Sequence, residues 1–273
     1  MRYQLTVTPE MSGRTVSDIL RQNGWSRRQI TALKRTENGI LLDGKHARTV
    51  DICYLDQIIT LERTDERSPD PNPELFAEIL YEDEHYIVFD KPSGMPTHES
   101  HRHRGDALSN VFAAHCKGLT FRSINRLDRE TSGCVLVAKD AHAALSAANT
   151  VKKIYCGICE GIPDKKEGRI EAPIARENGS VITRCVRSDG KPSTTLYKVV
   201  QNNNENALCD FELLTGRTHQ IRVHMSYIGH VLAGDSLYGK KEQNRPLALC
   251  CREISFRSGD KQVICNSNLI PVL

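Results

Sequence analysis

Positions 124–133 of this chain read Ile124-Asn125-Arg126-Leu127-Asp128-Arg129-Glu130-Thr131-Ser132-Gly133, and the apolar run Cys134-Val135-Leu136-Val137-Ala138 follows. The run is short and rich in β-branched residues, so it predicts a buried strand that begins after a Thr-Ser-Gly turn. Asp128 would then lie at the mouth of the strand, flanked by two arginines. Because nearby cations favour the charged form of a carboxyl group, we expect Asp128 to be ionised at neutral pH. It is therefore a candidate nucleophile or general base.

The composition of the chain is that of an ordinary globular protein. Its 273 residues are 26% charged and 39% hydrophobic, with a net charge of +3, and this length allows two domains. No apolar run has the length of a membrane span, and Met1–Glu10 lacks the apolar core of a signal peptide. We therefore expect a cytoplasmic protein. Nothing in the sequence indicates an obligate protein partner, so we expect a monomer.

The ten cysteines of the chain are predicted to be buried, reduced thiols, because most lie within apolar runs of a cytosolic sequence. Cys156-Gly157-Ile158-Cys159 has no second pair, and in a strand two positions three apart face opposite sides. His98, His101 and His103 alternate with arginines but lack an accompanying Cys or acidic cluster. We expect no metal at either place, and we interpret the histidine loop as a basic surface suited to phosphate contacts.

Residues 1–66 are predicted to form a separate small domain. Val16, Ile19 and Leu20 have helical spacing, and Gly24 is expected to end that helix. A capping box of Ser26 and Gln29 predicts a second helix, and strands are predicted over 40–42 and 57–61. The segment 21–35 has no acidic residue and five basic ones: Arg21, Arg27, Arg28, Lys34 and Arg35. These cations indicate either a solvated helix face or a surface that contacts phosphates.

A proline-rich linker is predicted over residues 67–75, and a larger domain over 76–273. Strands are expected at 86–89, 134–138, 154–159, 195–200 and 207–213, and helices at 107–115 and 141–151. Irregular alternation of strands and helices with short links predicts an α+β fold with a mixed, largely antiparallel central sheet flanked by helices.

A second motif runs from Leu214 to His224. Thr218 is predicted to cap a helix that buries Ile221, Met225 and Ile228 and ends at Gly229. Arg222 lies one position from that apolar face, at the boundary of the core, where a cation needs a partner. Tyr155 follows two lysines in a predicted strand, and by itself it is an aromatic strand residue.

Together these motifs resemble the RluA family of pseudouridine synthases over about residues 12–260. The family pattern is His-Arg-Leu-Asp, two variable residues and Thr-Ser-Gly, and here Asn125 replaces the usual histidine. The Leu214–His224 string, the segment 234–239 and the turn Asp90–Pro96 also match, whereas Leu247–Cys251 departs from the usual Leu-His-Ala. Residues 12–62 resemble an S4 RNA-binding domain.

The resemblance implies a reaction that breaks the N1–C1′ bond of a uridine, turns the uracil and rejoins it through C5, with no cofactor. It implies that Asp128 is catalytic, that Arg222 pairs with Asp128, and that Tyr155 stacks on the base and assists proton transfer. Arg126 would fill the space of the flipped nucleotide. Other residues are predicted to bind substrate (Arg217 and His219) or RNA (Arg27, Arg28, Lys34 and Arg35).

Several alternatives stay open at this point. Asp128 could attack C1′ or C6 or act only as a base, and the target could be ribosomal or transfer RNA. A non-catalytic RNA-binding or assembly protein could share the fold. Hydrolysis of a glycosidic bond usually needs two carboxylates near one sugar, and the sequence offers one in context.

Overall fold

A computed structural model describes residues 2–62, 69–100, 103–148, 150–239 and 245–273 of the chain. The chain forms two compact units, Met1–Arg67 and Ser68–Leu273. Residues 63–66 of the predicted small domain and residues 67 and 68 of the predicted linker lie outside the described residues, as do His101 and Arg102 of the histidine loop. Within the described ranges, no helix is long and apolar enough to cross a bilayer.

The first unit packs two helices on a four-stranded antiparallel sheet of order β1-β4-β2-β3. Its elements are β1 (Arg2–Thr6), α1 (Val16–Gln22), α2 (Arg27–Arg35), β2 (Ile40–Leu42), β3 (Lys45–His46) and β4 (Ile58–Glu62). The Ser26 capping box is confirmed: the Gln29 amide donates to Ser26 Oγ, and the Ser26 amide donates to Gln29 Oε1. Ile30 and Leu33 are buried with Ile19 and Leu20, so both predicted helices contribute to one core.

The second unit holds the remaining elements. They are β5 (Glu78–Glu82), β6 (Tyr86–Lys91), α3 (Leu108–His115), β7 (Arg122–Ser123), β8 (Ser132–Ala138), α4 (Ala141–Ala148), β9 (Lys152–Glu160), β10 (Glu167–Glu171), β11 (Ile174–Arg176), β12 (Arg184–Val186), β13 (Thr194–Asn202), β14 (Asn206–Leu213), α5 (Gln220–Tyr227), β15 (Leu249–Ser258) and β16 (Lys261–Asn266).

The large sheet of this unit has the order β10-β13-β14-β9-β15-β8-β6-β5, with β16 on β15 and β7 on β8. Among the described residues, β15 with β8 is the one parallel pairing, and the others are antiparallel. A two-stranded ribbon of β11 and β12 lies apart from it. The predicted α+β fold with a mixed, largely antiparallel sheet is therefore confirmed.

Strand β8 lies inside the sheet, between β15 and β6, and its residues from Gly133 to Ala138 are all buried. It pairs with β6, whose six residues are also buried. Such continuous apolar runs are typical of strands covered on both faces. The core around them includes Phe89, Phe112 and Phe256, each of which stabilises the fold by roughly 2–3 kcal/mol through burial. The strand therefore holds the segment that precedes it, including Asp128, at a fixed place on the sheet.

All ten cysteines are unpaired thiols, and nine of them are buried. Cys156 and Cys159 have different partners. The Cys156 thiol hydrogen-bonds to the Cys250 thiol, and the Cys159 thiol hydrogen-bonds to the Cys209 thiol. The thiols therefore fill space in the sheet, as the apolar runs around them predict.

Candidate active site

A cavity of about 660 Å³ opens on the second unit and is lined by three segments that are distant in sequence. The loop before β8 contributes residues 124–128 and 131, β9 contributes Lys153 and Tyr155, and the segment 213–222 supplies most of the remaining wall. Six residues predicted from the sequence line it: Arg126, Asp128, Tyr155, Arg217, His219 and Arg222. The fold thus brings the predicted catalytic and substrate-binding residues into one cavity.

The backbone on either side of Asp128 is held by short polar contacts. The Leu127 amide donates to Thr97 Oγ1 at 3.1 Å, and the same hydroxyl donates to the Leu127 carbonyl at 2.8 Å. On the other side, the Thr131 amide donates to the Asp128 carbonyl at 3.1 Å. The Asp128 side chain remains 32% exposed. The carboxylate therefore projects into the cavity from a backbone that is fixed on both sides.

Asn125, which replaces the histidine of the family pattern, has a structural role. Its Nδ2 donates to the Cys134 carbonyl at 3.0 Å, and its Oδ1 accepts from the Leu136 amide at 2.8 Å. The side chain is buried and satisfies two backbone groups of β8. This departure from the pattern therefore leaves the position of Asp128 intact.

The turn after β6 also holds the loop that carries Asp128. Lys91 is fully buried, and its Nζ donates to the carbonyls of Pro92, Met95 and Arg129 at 2.9, 2.7 and 3.1 Å. Burial lowers the pKa of Lys91 to about 8, although the charges of Glu130 and Asp128 oppose this. Lys91 thus ties the turn to the residue after Asp128. The sequence analysis assigned no role to it; a lysine at the end of an apolar strand, directly before proline, was the available signal.

The predicted ion pair between Arg222 and Asp128 is wrong. Arg222 is 2% exposed and forms a bidentate pair with Asp235, in which Nε and Nη2 each donate to one carboxylate oxygen at 2.7 Å. Two parallel bonds satisfy a buried guanidinium far better than a single contact. Asp128 interacts with Arg222 only through charge at longer range. Arg222 is therefore a buried support of the cavity wall.

Asp235 is fully engaged by this arrangement. Besides Arg222, its Oδ1 accepts from the amides of Leu237 and Tyr238 at 2.9 and 3.1 Å. Burial alone would raise the pKa of Asp235, but the bonds and charge of Arg222 hold it below its ordinary value. The segment 234–239, which the sequence analysis matched to the family without assigning it a role, is thus locked to α5.

Helix α5 starts later than predicted. Thr218 does not cap it; the N-cap is His219, in the left-handed conformation with φ of 58° and without a side-chain cap bond. Gln220 closes the preceding turn instead, because its Oε1 accepts from Thr215 Oγ1 and from the Arg217 amide. The predicted inner face is confirmed for Ile221 and Met225, which are buried, and Gly229 follows the helix end with positive φ.

His219 is the nearest ionisable partner of Asp128, with 3.9 Å between His219 Nε2 and Asp128 Oδ2. Its Nδ1 lies 2.8 Å from the hydroxyl of Tyr238. Burial lowers the pKa of His219, and the charges of Arg222 and Arg184 act in the same direction. The imidazole is therefore neutral at pH 7. Tyr238 and Arg184 are parts of this arrangement that the sequence analysis did not single out.

Tyr155 extends from β9 into the cavity wall and is 7% exposed. Burial raises the pKa of Tyr155 well above its ordinary value, and the nearby Cys251 thiol and Asp128 carboxylate add to the rise. The phenol is therefore protonated at any physiological pH. Tyr155 lines the cavity with an aromatic ring suited to stacking, and its hydroxyl donates to the buried Cys251 thiol.

Positive charge gathers at the cavity. Arg126 and Arg217 are exposed and Lys153 is half-buried, and all three line the wall. Cations in this arrangement attract the phosphates of a nucleic acid. Lys153 was not predicted as a site residue, although it is one of the two lysines just before Tyr155.

The predicted RNA-binding residues belong to the first unit. Arg27, Lys34 and Arg35 lie on α2 with exposed side chains, whereas Ile30 and Leu33 of the same helix are buried. The side chain of Arg28 lies outside the described residues. Helix α2 therefore presents at least three cations to solvent.

Known proteins share both the sequence and the fold. The family model described as RNA pseudouridylate synthase matches residues 85–227. The uncharacterised RNA pseudouridine synthase YjbO of Bacillus subtilis is 35% identical over 84% of this chain and 85% of its own length. Ribosomal large subunit pseudouridine synthase D of Pseudomonas aeruginosa is 35% identical over 77% of this chain and 68% of its own.

Among solved structures, human RNA pseudouridylate synthase domain containing 1 superposes with a TM-score of 0.60. It is 26% identical, and the match covers 72% of this chain and 85% of the human chain. The second unit therefore has the fold of these proteins.

Proposed function

The chain belongs to the RluA family of RNA pseudouridine synthases, and we propose that Asp128 is its catalytic carboxylate. One observation carries this assignment: Asp128 is the one carboxylate among the described residues that line the cavity. A pair of carboxylates, as most glycoside hydrolases use, is thus lacking from the described wall. A single carboxylate beside a buried phenol suits an isomerisation that needs one nucleophile or base and one proton-transfer group.

The reaction is balanced without a redox step. The N1–C1′ bond of uridine breaks, the uracil turns, and a C5–C1′ bond forms while the C5 proton leaves and N1 is protonated. Asp128 either attacks C1′ or C6 or removes a proton, and Tyr155 packs on the uracil and assists proton transfer. Arg222 supports the wall behind them through Asp235.

The target nucleotide must leave its stack for these groups to reach it. Arg126 lies two residues before Asp128 and is exposed at the cavity, where its side chain fills the space that the flipped uridine leaves. Arg217 contacts the bound nucleotide or its neighbours, and His219, also predicted to bind substrate, lies 3.9 Å from Asp128. Uridines in loops or distorted stems are the expected substrates, because they unstack at lower cost.

The substrate is ribosomal or transfer RNA. The relative from Pseudomonas aeruginosa is named for the large ribosomal subunit, so ribosomal RNA is the first substrate to test. The first unit acts as an S4-like domain that contacts the RNA backbone through Arg27, Arg28, Lys34 and Arg35. A cytoplasmic, monomeric enzyme that needs no cofactor is part of the same proposal.

The test is Asp128→Asn, with Glu130→Gln as matched control. Glu130 is a carboxylate two residues away that does not line the cavity, so its amide should leave the activity within a few-fold. Asp128→Asn should lose at least about 10³-fold in pseudouridine formation on ribosomal and transfer RNA from cells that lack the gene. RNA affinity should stay within a few-fold.

Free uracil is measured in the same reactions, because hydrolysis would release it and isomerisation would not. Near-normal activity of Asp128→Asn would overturn the assignment of Asp128. Release of uracil in place of pseudouridine would overturn the reaction.

A further inference from the structure

A chain of polar contacts runs from the far side of the cavity wall to Asp128. The Arg184 amide, at the start of β12, donates to the Tyr238 hydroxyl at 2.9 Å. That hydroxyl lies 2.8 Å from His219 Nδ1, and His219 Nε2 lies 3.9 Å from Asp128 Oδ2. The chain of contacts thus links Arg184, Tyr238, His219 and Asp128, which belong to four separate segments.

The contacts determine which nitrogen of His219 carries the proton. The Tyr238 oxygen already accepts from the Arg184 amide, so its single proton is available to donate to Nδ1. An imidazole nitrogen that accepts leaves the ring proton on the other nitrogen. The carboxylate of Asp128 can only accept, so it also favours a proton on Nε2. Both neighbours therefore select the Nε2–H tautomer.

The surroundings of His219 keep this ring uncharged. Its side chain is 10% exposed, and burial lowers the pKa of His219. Arg222 and Arg184 lower it further, whereas Asp128 and Asp235 oppose them. Arg222 is engaged by Asp235, whereas His219 Nε2 lies 3.9 Å from Asp128 Oδ2. A neutral N–H can orient this carboxylate without neutralising it.

We propose that His219, held in its Nε2–H tautomer by Tyr238, is a positioning residue that aims the carboxylate of Asp128 at the bound uridine. It rests on the proposed role of Asp128. When the nucleotide is seated, Nε2–H donates to Oδ2, the present 3.9 Å separation shortens to hydrogen-bond distance, and Oδ1 stays free for the reaction. Active-site bonds are often long in unliganded enzymes and tighten in the complex.

The backbone of His219 supports this role. Its φ of 58° is uncommon for a residue with a side chain and costs roughly 1 kcal/mol. The conformation persists at the one residue that bridges Asp128 and Tyr238. Backbone strain of this kind clusters at functional sites, where the surroundings over-determine it.

Tyr238 can be altered without displacing its ring. The ring lies edge-on to His219, with 5.7 Å between centroids, and 5.2 Å from the guanidinium carbon of Arg222. Tyr238→Phe keeps these contacts and removes only the hydroxyl. The matched variants at the imidazole are His219→Gln, whose amide can donate from the place of Nε2, and His219→Ala, which cannot.

Three measurements test the proposal. Nitrogen NMR of the ring of His219 should show Nε2–H in the wild type and a mixture of tautomers in Tyr238→Phe. His219→Ala should lose about 10²-fold in kcat with KM within three-fold, as misplacement of a reacting group does, and His219→Gln should recover at least ten-fold of that loss. In Tyr238→Phe, Nδ1 is free to bind a proton, so the acid limb of the kcat profile should shift to higher pH.

An Nδ1–H tautomer in the wild type, equal kcat of His219→Ala and His219→Gln, or an unshifted acid limb in Tyr238→Phe would each overturn the proposal. If His219→Ala does not fold, the tautomer and pH measurements on the wild type and Tyr238→Phe decide. Asp128→Asn separates the two proposals. If Asp128→Asn is active, the catalytic role of Asp128 is wrong. If Asp128→Asn is inactive but the His219 variants keep the wild-type kcat, only the positioning role of His219 is wrong.

Discussion

At the scale of single residues, the site depends on buried polar groups that hold the loop of Asp128. Asn125 completes two hydrogen bonds of β8, and Thr97 holds the Leu127 backbone from both sides. Lys91 donates to three carbonyls, one of which belongs to the residue after Asp128. Each contact is specific because an unpaired buried polar group costs about 1–3 kcal/mol. The backbone around Asp128 is therefore held by buried side chains that have no proposed part in the reaction.

Lys91→Met tests this view through the pH dependence of stability. The folded-state pKa of Lys91 is about 8 and its ordinary value is 10.5, so between these values the unfolded chain binds more protons. The wild type should therefore gain stability as pH rises through this window, by roughly 1.4 kcal/mol per pH unit. The variant cannot gain it. Urea unfolding at pH 7.5 and 9.5 should show Lys91→Met destabilised at both, with a gap about 1–2 kcal/mol wider at pH 9.5.

Lys117→Met is the control, because Lys117 is exposed and its loss should leave the gap constant. A constant gap for Lys91→Met as well would contradict the buried, partly deprotonated lysine. Pseudouridine formation by Lys91→Met should also fall, since the loop that carries Asp128 loses one of its anchors.

At the scale of elements, α5 and the segment 234–239 act as one piece. The apolar spacing of Ile221 and Met225 predicted the helix correctly, but the sequence placed its start at Thr218. The Gln220 side chain closes the turn before the helix and thereby moves the cap to His219. Arg222 and Asp235 then lock the helix to the segment 234–239 by a buried bidentate pair. This coupling places Tyr238 against His219.

Arg222→Met should destabilise the protein by about 3–5 kcal/mol, because it leaves Asp235 buried and uncompensated. Arg222→Lys should recover only part of this loss, since an ammonium group cannot form the two parallel bonds. The double variant Arg222→Met with Asp235→Leu should be more stable than Arg222→Met alone. Urea unfolding of the wild type, Arg222→Met, Asp235→Leu and the double variant gives the coupling free energy, and additive single effects would contradict the pair.

The same variants have a defined pH dependence. The pKa of Asp235 is lowered in the folded protein, so its contribution to stability is present above the ordinary value of 3.8 and is lost as pH falls through the folded-state value. In Arg222→Met the bonds and charge of Arg222 are gone, so burial raises the pKa of Asp235 above 3.8 in the folded variant. Asp235 then takes up a proton between pH 7 and pH 4, and the deficit of Arg222→Met should shrink over this range. A deficit of equal size at pH 7 and at pH 4 would contradict this.

At the scale of the whole molecule, the two units carry different features. The second unit carries the cavity and the family fold, and the first carries a basic helix on a small independent core. Changing Arg27, Lys34 and Arg35 to glutamine should weaken RNA binding at least ten-fold at moderate salt. The slope of log affinity against log salt should fall by roughly two, as expected for three lost phosphate contacts to single-stranded or looped RNA.

The matched control changes three exposed lysines of the second unit that do not line the cavity, Lys165, Lys166 and Lys261. Fluorescence anisotropy between 50 and 200 mM salt measures both quantities. Equal slopes for the two triple variants would mean that the loss reflects net charge and that α2 is not a specific contact surface.

The sequence by itself determined the class of fold, the capping box at Ser26, the reduced thiols and the segments that form the cavity. These features depend on local spacing, or on motifs whose residues stand in a fixed order, and both are readable along the chain. The sequence analysis did not predict strand β15. This strand is defined by its pairing with β8 and β9, which are distant in the sequence.

Only the tertiary structure decided which charges meet. Arg222 could have paired with Asp128 or Asp235, and the bidentate geometry of Asp235 prevails because a fully buried guanidinium needs two carboxylate oxygens in the plane of its donors. The buried role of Lys91 and the tautomer of His219 follow from contacts between residues up to 91 positions apart. Partners of this kind are selected by distance and orientation in the folded chain, which spacing along the sequence does not contain.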